Sequence, residues 1–289
     1  MKKKYEFTGE TKGTLKRIRA LMSFGCVERG DLGGWIESED NLSHLSYAWV
    51  FDEARVSDNA RVSGNAFVSE NAWIFGKAEV SINAEVFGNA KVSGNAEVSG
   101  NALVHEHAQV CGNAEVSRNA RVCDNACVFG EVRVSGNAKV CGNAQLYGNA
   151  KVSGNTNVQE NAQLYGNAKV YGNARVYGKA ELFGAARLFG SAQVFGNAQV
   201  SGNAQVYGVA RVQGEAKVHG IMRSDGYTFC YVPCSDGEMR VIAGCRYFTI
   251  KEAKEHWKRT RSGTPLGNET MDILKALKSL SKVKPEGCV

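Results

Sequence analysis

The chain has 289 residues, 35 Lys and Arg against 29 Asp and Glu, a formal charge of +6, and 33 Gly against 3 Pro. That length suits one large domain or two ordinary ones, and Gly followed by Asn at fixed spacing marks a periodic fold and excludes a low-complexity chain. The charge is spread thinly, with 8 basic and 7 acidic side chains in residues 1–50, 15 and 14 in 51–220, and 12 and 8 in 221–289; such a distribution does not support nucleic acid as a partner.

At the N-terminus Met-Lys-Lys-Lys leads into the polar Tyr-Glu-Phe-Thr-Gly-Glu, and no stretch approaches the roughly 18 apolar residues of a membrane span. The nine cysteines form no paired framework. These features point to a cytoplasmic protein with free thiols and no membrane partner. Residues 1–47 lack the repeat that follows, and Ile18, Ala20 and Met22 alternate as one face of a strand. This segment is expected to cover the first coil, because a bare solenoid end leaves strand edges unpaired.

From Val50 to Val218, every sixth residue is Val, Ile or Leu, 29 positions in all; two residues earlier, 27 of 29 positions are Ala, the exceptions being Val132 and Thr156. A helix would carry a six-residue period around its axis, so the unit Ala-x-Val-x-Gly-Asn is a short strand with Ala and Val on one face. Gly and Asn are expected to turn the corner, both through left-handed backbone angles.

After His219 the period ends. The stretch "YTFCYVPCSDGEMRVIAGCRYF" predicts two strands around Ser235-Asp236-Gly237-Glu238. Thr249 and Glu252 then form a capping box for a helix carrying Ile250, Ala253 and Trp257. A second helix is expected from Asn268, with Ile273, Leu274, Leu277 and Leu280 on one stripe, ending before Pro285. The expected division is therefore 1–47 as entry cap, 48–220 as solenoid and 221–289 as an α+β cap.

Residues 48–219 resemble the hexapeptide-repeat family, which implies an all-β, left-handed parallel β-helix of 18-residue triangular coils. Nearly ten coils at roughly 4.8 Å each imply a prism about 45 Å long. The entry residues Gly33, Gly34, Trp35, Ile36, Asn41, Leu42, Ser43, Trp49 and Val50 are similar to those of YdcK-type proteins of enterobacteria and their phage relatives, labelled transferases by fold. "GCRYFTIKEAKEHW" also resembles a module of phage-encoded proteins.

With Val and Ala filling the interior, function must use outward positions. The 18-residue period stacks Phe129, Tyr147, Tyr165 and Phe183 at one corner, Tyr171, Phe189 and Tyr207 at the second, and Tyr177 and Phe195 at the third. Such rows shield the turns or form a contact surface, including a trimer seam. On one flat side Arg61, Glu79, Glu97 and Glu115 precede Arg133, Lys151, Lys169 and Arg187, flanked by Arg121, Lys139 and Arg175. This is either a solvated face or a dock for an anionic ligand.

The resemblance to acyltransferases implies a catalytic His at a subunit seam and an acetyl-CoA-type donor. His105 and His107 are the candidates, yet no insertion interrupts the repeat to shape a pocket. A carbonic anhydrase needs three imidazoles around zinc, which two neighbouring histidines do not supply. His105, Cys123 and Cys141 share a column, but their outer members are about 9.6 Å apart by coil spacing, and Cys123 with Cys141 is expected to stay reduced. Cys230, Cys234, Cys245 and His256 contain no C-x-x-C and are expected to be fillers. Lys258, Arg259 and Arg261 form a basic helix end able to touch an acid or a phosphate. The expectation is a non-catalytic binding scaffold without cofactor or metal, engaging a protein, an anionic ligand or its own copies, with acyl transfer as the alternative.

Overall fold

A computed structural model describes residues 3–208, 210–233, 238–244 and 246–280. The chain divides into two compact units, Met1–Gly154 and Asn155–Val289. The boundaries expected near residues 47 and 220 each fall inside a unit, because the entry cap and the C-terminal cap are continuous in hydrogen bonding with their adjoining coils.

In the first unit β1 (Tyr5–Lys12) and β2 (Leu15–Ala20) form an antiparallel hairpin, and β2 pairs antiparallel with β3 (Leu32–Ile36). β3 then runs parallel to Arg55–Val56, so the hairpin continues a solenoid sheet. Ile18 and Ala20 are buried, whereas Met22 lies beyond the strand and is half-buried. The Gly33-Gly34 pair follows from close approach: a Cβ on Gly33 would lie 2.6 Å from Ile18 Cγ1, and one on Gly34 2.6 Å from the Ala54 carbonyl oxygen.

Two-residue strands then recur on three sheets with an 18-residue register, Glu79 opposite Glu97 and Glu97 opposite Glu115 on one of them. This is the parallel β-helix that the repeat predicts. Its inward Val and Ala side chains are shut off from solvent, and each coil's outward N–H groups donate to the next, as Glu97 does to Ala114 O at 2.8 Å and Ser99 to Val116 O at 2.9 Å. All backbone groups along a strand are thereby satisfied without local pairing.

The corner differs from expectation in one respect. Only the Gly slot is left-handed, with φ of 71° at Gly94 and 73° at Gly100; the Asn beside it is not. Asn contributes a side-chain ladder instead, Asn65 Nδ2 donating to Asn83 Oδ1 at 3.0 Å, Asn83 to Asn101 at 3.0 Å and Asn101 to Asn119 at 3.1 Å. The physical reason is that a stacked amide matches the coil spacing and offers one donor and one acceptor along the axis.

The second unit is built of coils of the same kind, with Leu164, Leu182 and Leu188 among the buried aliphatics and Thr156 filling an Ala slot at 1% exposure. The last strand, β4 (Lys217–Met222), pairs parallel with Gln199–Gly202 and, through its second half, antiparallel with β5 (Thr228–Pro233). β6 (Met239–Ala243) and β7 (Arg246–Thr249) complete a meander. The two expected strands are thus part of a larger sheet that converts parallel pairing into antiparallel pairing; residues 234–237 of the expected turn lie outside the described residues. Gly220 is required where β4 passes the Ala204 backbone, which a Cβ would overlap.

Helix α1 (Ile250–Arg261) opens with the predicted capping box, Glu252 N donating to Thr249 Oγ1 at 3.2 Å and Thr249 N to Glu252 Oε2 at 2.8 Å. Helix α2 (Pro265–Leu280) starts three residues before the expected Asn268. Thr264 accepts from Gly267 N at 3.1 Å, and Pro265, pre-set for helical φ, occupies the first turn. Phe229, Val241, Ala243, Ala253, Trp257, Ile273, Leu274 and Leu277 form the core of this cap.

Candidate functional site

The aromatic corners stack face to face. In the first unit Phe129 and Tyr147 have centroids 5.2 Å apart at 8°. In the second, Tyr165 and Phe183 stand 5.0 Å apart at 3°, Tyr171 and Phe189 5.1 Å at 2°, Phe189 and Tyr207 4.9 Å at 20°, and Tyr177 and Phe195 4.8 Å at 3°. Parallel strand spacing imposes this geometry, and each pair contributes about 1 kcal/mol. Phe129 is 40% exposed and Tyr171 36%; the other rings are half-buried. Hydroxyls tether some of them, Tyr165 to Glu181 Oε2 and Tyr177 to Gln193 Oε1, both at 3.4 Å. The rings are therefore both a structural ladder and an exposed rigid edge. Sequence columns missed a further ring pair in the first unit, Trp73 tilted at 32° against Phe75 at 4.4 Å, because these residues occupy a side and a corner.

The charged column forms in register. In the first unit Arg61, Glu79, Glu97, Glu115, Arg133 and Lys151 are successive neighbours, and Arg133 Nη2 reaches Glu115 Oε1 at 3.2 Å, with both side chains about half exposed. That exposed pair adds little stability, though it offsets repulsion where acids give way to bases. In the second unit Lys169 lies opposite Arg187, which lies opposite Gln205. Arg121 and Lys139 are neighbours on a second sheet, whereas Arg175 stands between Asn157 and Gln193.

His105 lies flat on Phe87, centroids 4.8 Å apart at 2°. Its Nδ1 has no hydrogen-bond partner among the described residues and is 3.8 Å from Glu106 Oε1. His107, two residues on, is exposed. Below His105 in the column, Cys123 and Cys141 are joined by a disulfide with Cα atoms 4.7 Å apart, which corrects the expectation of free thiols: identical slots in adjacent coils place the two side chains side by side. Asp124 lies close to both sulfurs, but its Oδ2 accepts from Gly142 N at 2.8 Å. Cys26, Cys111, Cys127 and Cys230 are free. Cys230, expected as a filler, also accepts from Gln205 N at 2.9 Å, and burial pushes its thiol up to about 12. Cys234 and Cys245 lie outside the described residues.

Two clusters escaped sequence reading. Lys4 belongs to the opening Met-Lys-Lys-Lys run, yet it is 2% exposed. Its Nζ donates to Ala48 O at 2.7 Å and sits 5.0 Å from the Phe24 ring, and burial lowers the ammonium to about 8. Lys4 N donates to His44 Nδ1 at 3.2 Å, so His44 carries its proton on Nε2, 3.7 Å from Glu39. Lys4, Phe24 and His44 border a cavity of about 410 Å³ together with Met22 and Tyr47. The second cluster is a cavity of about 300 Å³ in the C-terminal cap, lined by Arg223, Arg246, His256 and Arg261. Of these only Arg261 and His256 carried any signal in the sequence, as members of a basic helix end and of a scattered Cys/His set.

The repeat, its three-sheet register and its filled interior define a hexapeptide-repeat parallel β-helix. The family model "YdcK Beta solenoid repeat" matches residues 54–70, 108–124, 162–178 and 192–208. In these repeats the chain is YdcK-like. No curated protein matches its sequence. Among solved structures it is similar to the UDP-N-acetylglucosamine O-acyltransferase LpxA of Moraxella catarrhalis, at 11% identity over 78% of this chain and 90% of that one, TM-score 0.47. LpxA of Acinetobacter baumannii gives 12% identity, 64% and 71% coverage and a TM-score of 0.33; the Arabidopsis UDP-N-acetylglucosamine acyltransferase gives 14%, 81%, 84% and 0.30. No helix among the described residues is long and apolar enough to cross a membrane.

Proposed function

We propose that this chain is a non-catalytic binding solenoid that engages a protein partner, a further copy of itself included, through its aromatic corners. The observation that carries the reading is the face-to-face stacking of Tyr165 with Phe183, Tyr171 with Phe189 and Tyr177 with Phe195, one pair on each corner. Rings already immobilised by their neighbours lose little conformational freedom on association, so their exposed edges make effective anchors. In the first unit Arg133 and Lys151, and in the second unit Lys169 and Arg187, offer an acidic partner or ligand a basic stretch of that unit's charged side. The resemblance of residues 244–257 to phage modules extends this reading to a phage-encoded factor that acts on a host protein in the cytoplasm.

Solution mass before and after replacing Tyr147, Tyr165 and Phe183 with Ser tests the proposal. Association or partner capture is expected to disappear while far-ultraviolet circular dichroism is retained; undiminished association in the folded variant refutes it. Acyl transfer through His105 or His107 has weaker support, since His105 is stacked on Phe87 and the repeat supplies no excursion loop. A thermal shift with acetyl-CoA that vanishes on replacing both histidines with Ala would reverse this ranking.

A further inference from the structure

We propose that the cavity between α1 and the β4–β5 turn of the C-terminal cap is a binding site for a small phosphate monoester, held by Arg246 and Arg261 over a floor made by Arg223 and Asp225. The floor is built, not fluid. Arg223 is 2% exposed; its Nε and Nη2 donate to Asp225 at 2.9 and 2.7 Å, and its Nη1 donates to Thr270 Oγ1 at 2.8 Å. The guanidinium also lies over the rings of Tyr227 and Phe229, 5.2 and 5.5 Å from their centroids. Asp225 further accepts from Tyr227 N at 3.2 Å.

This pairing consumes the one carboxylate that lines the cavity among the described residues. Arg246 on β7 and Arg261 at the end of α1 line the same space, and neither has an ion-pair partner among the described residues. Their charge is felt inside: Arg261 helps hold the Asp225 carboxyl below its ordinary range, behind the larger effect of Arg223. Burial first, then Arg246 and Arg259, lowers the His256 imidazole. Glu252 and Glu255 border a neighbouring cleft with Arg259, and the C-terminal end of α1 adds a weak negative dipole. Two unneutralised guanidinium forks and a half-buried imidazole outweigh these and favour a dianion over a single carboxylate. A volume of about 300 Å³ lies at the small end for ligand sites, which suits a phosphorylated small molecule.

The experiment is calorimetry on the full chain at constant ionic strength with inorganic phosphate, phenyl phosphate and acetate as probes, accompanied by NMR titration of the His256 imidazole. Saturable binding of both phosphates is expected, phenyl phosphate at least as tight as phosphate and acetate at least tenfold weaker. Arg246→Gln and Arg261→Gln, both at exposed positions, should each weaken binding about tenfold, and saturation should raise the His256 pKa because the dianion favours imidazolium. Phosphate binding no tighter than acetate, affinity unchanged in both variants, or an unmoved His256 would each overturn the proposal. If phosphate binds tighter than phenyl phosphate, the site takes the free ion and the monoester assignment fails. The corner ring Tyr207 donates to the backbone carbonyl of Arg246, at 3.3 Å, which Arg246→Gln retains, so either proposal can fail while the other stands.

Discussion

Asn41 offers a direct measure of what an end cap contributes. Its side chain is fully buried and makes four hydrogen bonds to backbone: Nδ2 donates to Asp58 O and Ala60 O, both at 2.9 Å, and Oδ1 accepts from Glu37 N at 3.0 Å and Ser38 N at 2.8 Å. At a net value of about 1 kcal/mol each, Asn41→Ala should cost about 4 kcal/mol, falling to about 2 if water re-enters the cavity. The loss should be local. Urea titration with hydrogen exchange is the assay: exchange of Ser43 N, which donates to Val62 O, should accelerate, while Glu97 N, bonded to Ala114 O, should keep its protection. Because the opened edge of Arg61–Val62 is a template for pairing, the variant should also self-associate at high concentration. A loss under about 1 kcal/mol with unchanged exchange at Ser43 would refute the capping role.

Gly34→Ala forces a Cβ to within 2.6 Å of Ala54 O and 2.8 Å of Phe51 O, and should lower stability by about 2 kcal/mol in thermal unfolding; an unshifted midpoint would show that β3 is not held against the first coil. Lys4 gives a pH signature: with its folded pKa lowered from 10.5 to about 8, it is charged in both states below pH 8, where the burial penalty is full. Between pH 8 and 10 the unfolded chain binds the proton and the folded chain does not, so stability rises with pH across that window. The parent should gain on Lys4→Met in urea titrations over this range, and a constant difference would contradict it. Peptide mapping without reductant should link Cys123 to Cys141 and leave Cys26, Cys111, Cys127 and Cys230 alkylated; full alkylation of Cys123 in the folded protein would count against the bridge.

Sequence periodicity carried the coils because one six-residue rule fixes which side chain faces inward, which faces out and where the chain bends. Thr249 and Glu252 were legible for a similar reason, since a capping box is local chemistry. What stayed hidden depends on distance along the chain. Lys4 becomes a buried donor only when Phe24 and Ala48 arrive from 20 and 44 residues away, and Arg223 acquires its role from Thr270 on α2. The assumption that Asn bends the corner failed because residue preference alone does not separate a residue that adopts φ above zero from one that stacks. The disulfide was judged from compartment, whereas the coil register decides how close Cys123 and Cys141 stand.

The exceptions within the repeat show where specificity is written. At the Gly slot a side chain raises the cost of a left-handed backbone by about 1 kcal/mol, yet Asp52, Asp58, Asp124 and Glu160 all adopt φ between 51° and 62°. In each case the carboxylate accepts a backbone N–H one coil on: Glu70, Gly76, Gly142 and Gly178 respectively, at 2.8 to 3.1 Å. A charge-assisted bond of about 1.5–3 kcal/mol offsets the strain, so these acids are structural and are not free to meet a partner. Ile82 and Arg118, left-handed at 65° and 63°, make no such bond, and Ile82 is 54% exposed. Their left-handed backbone therefore carries no such offset within the coil.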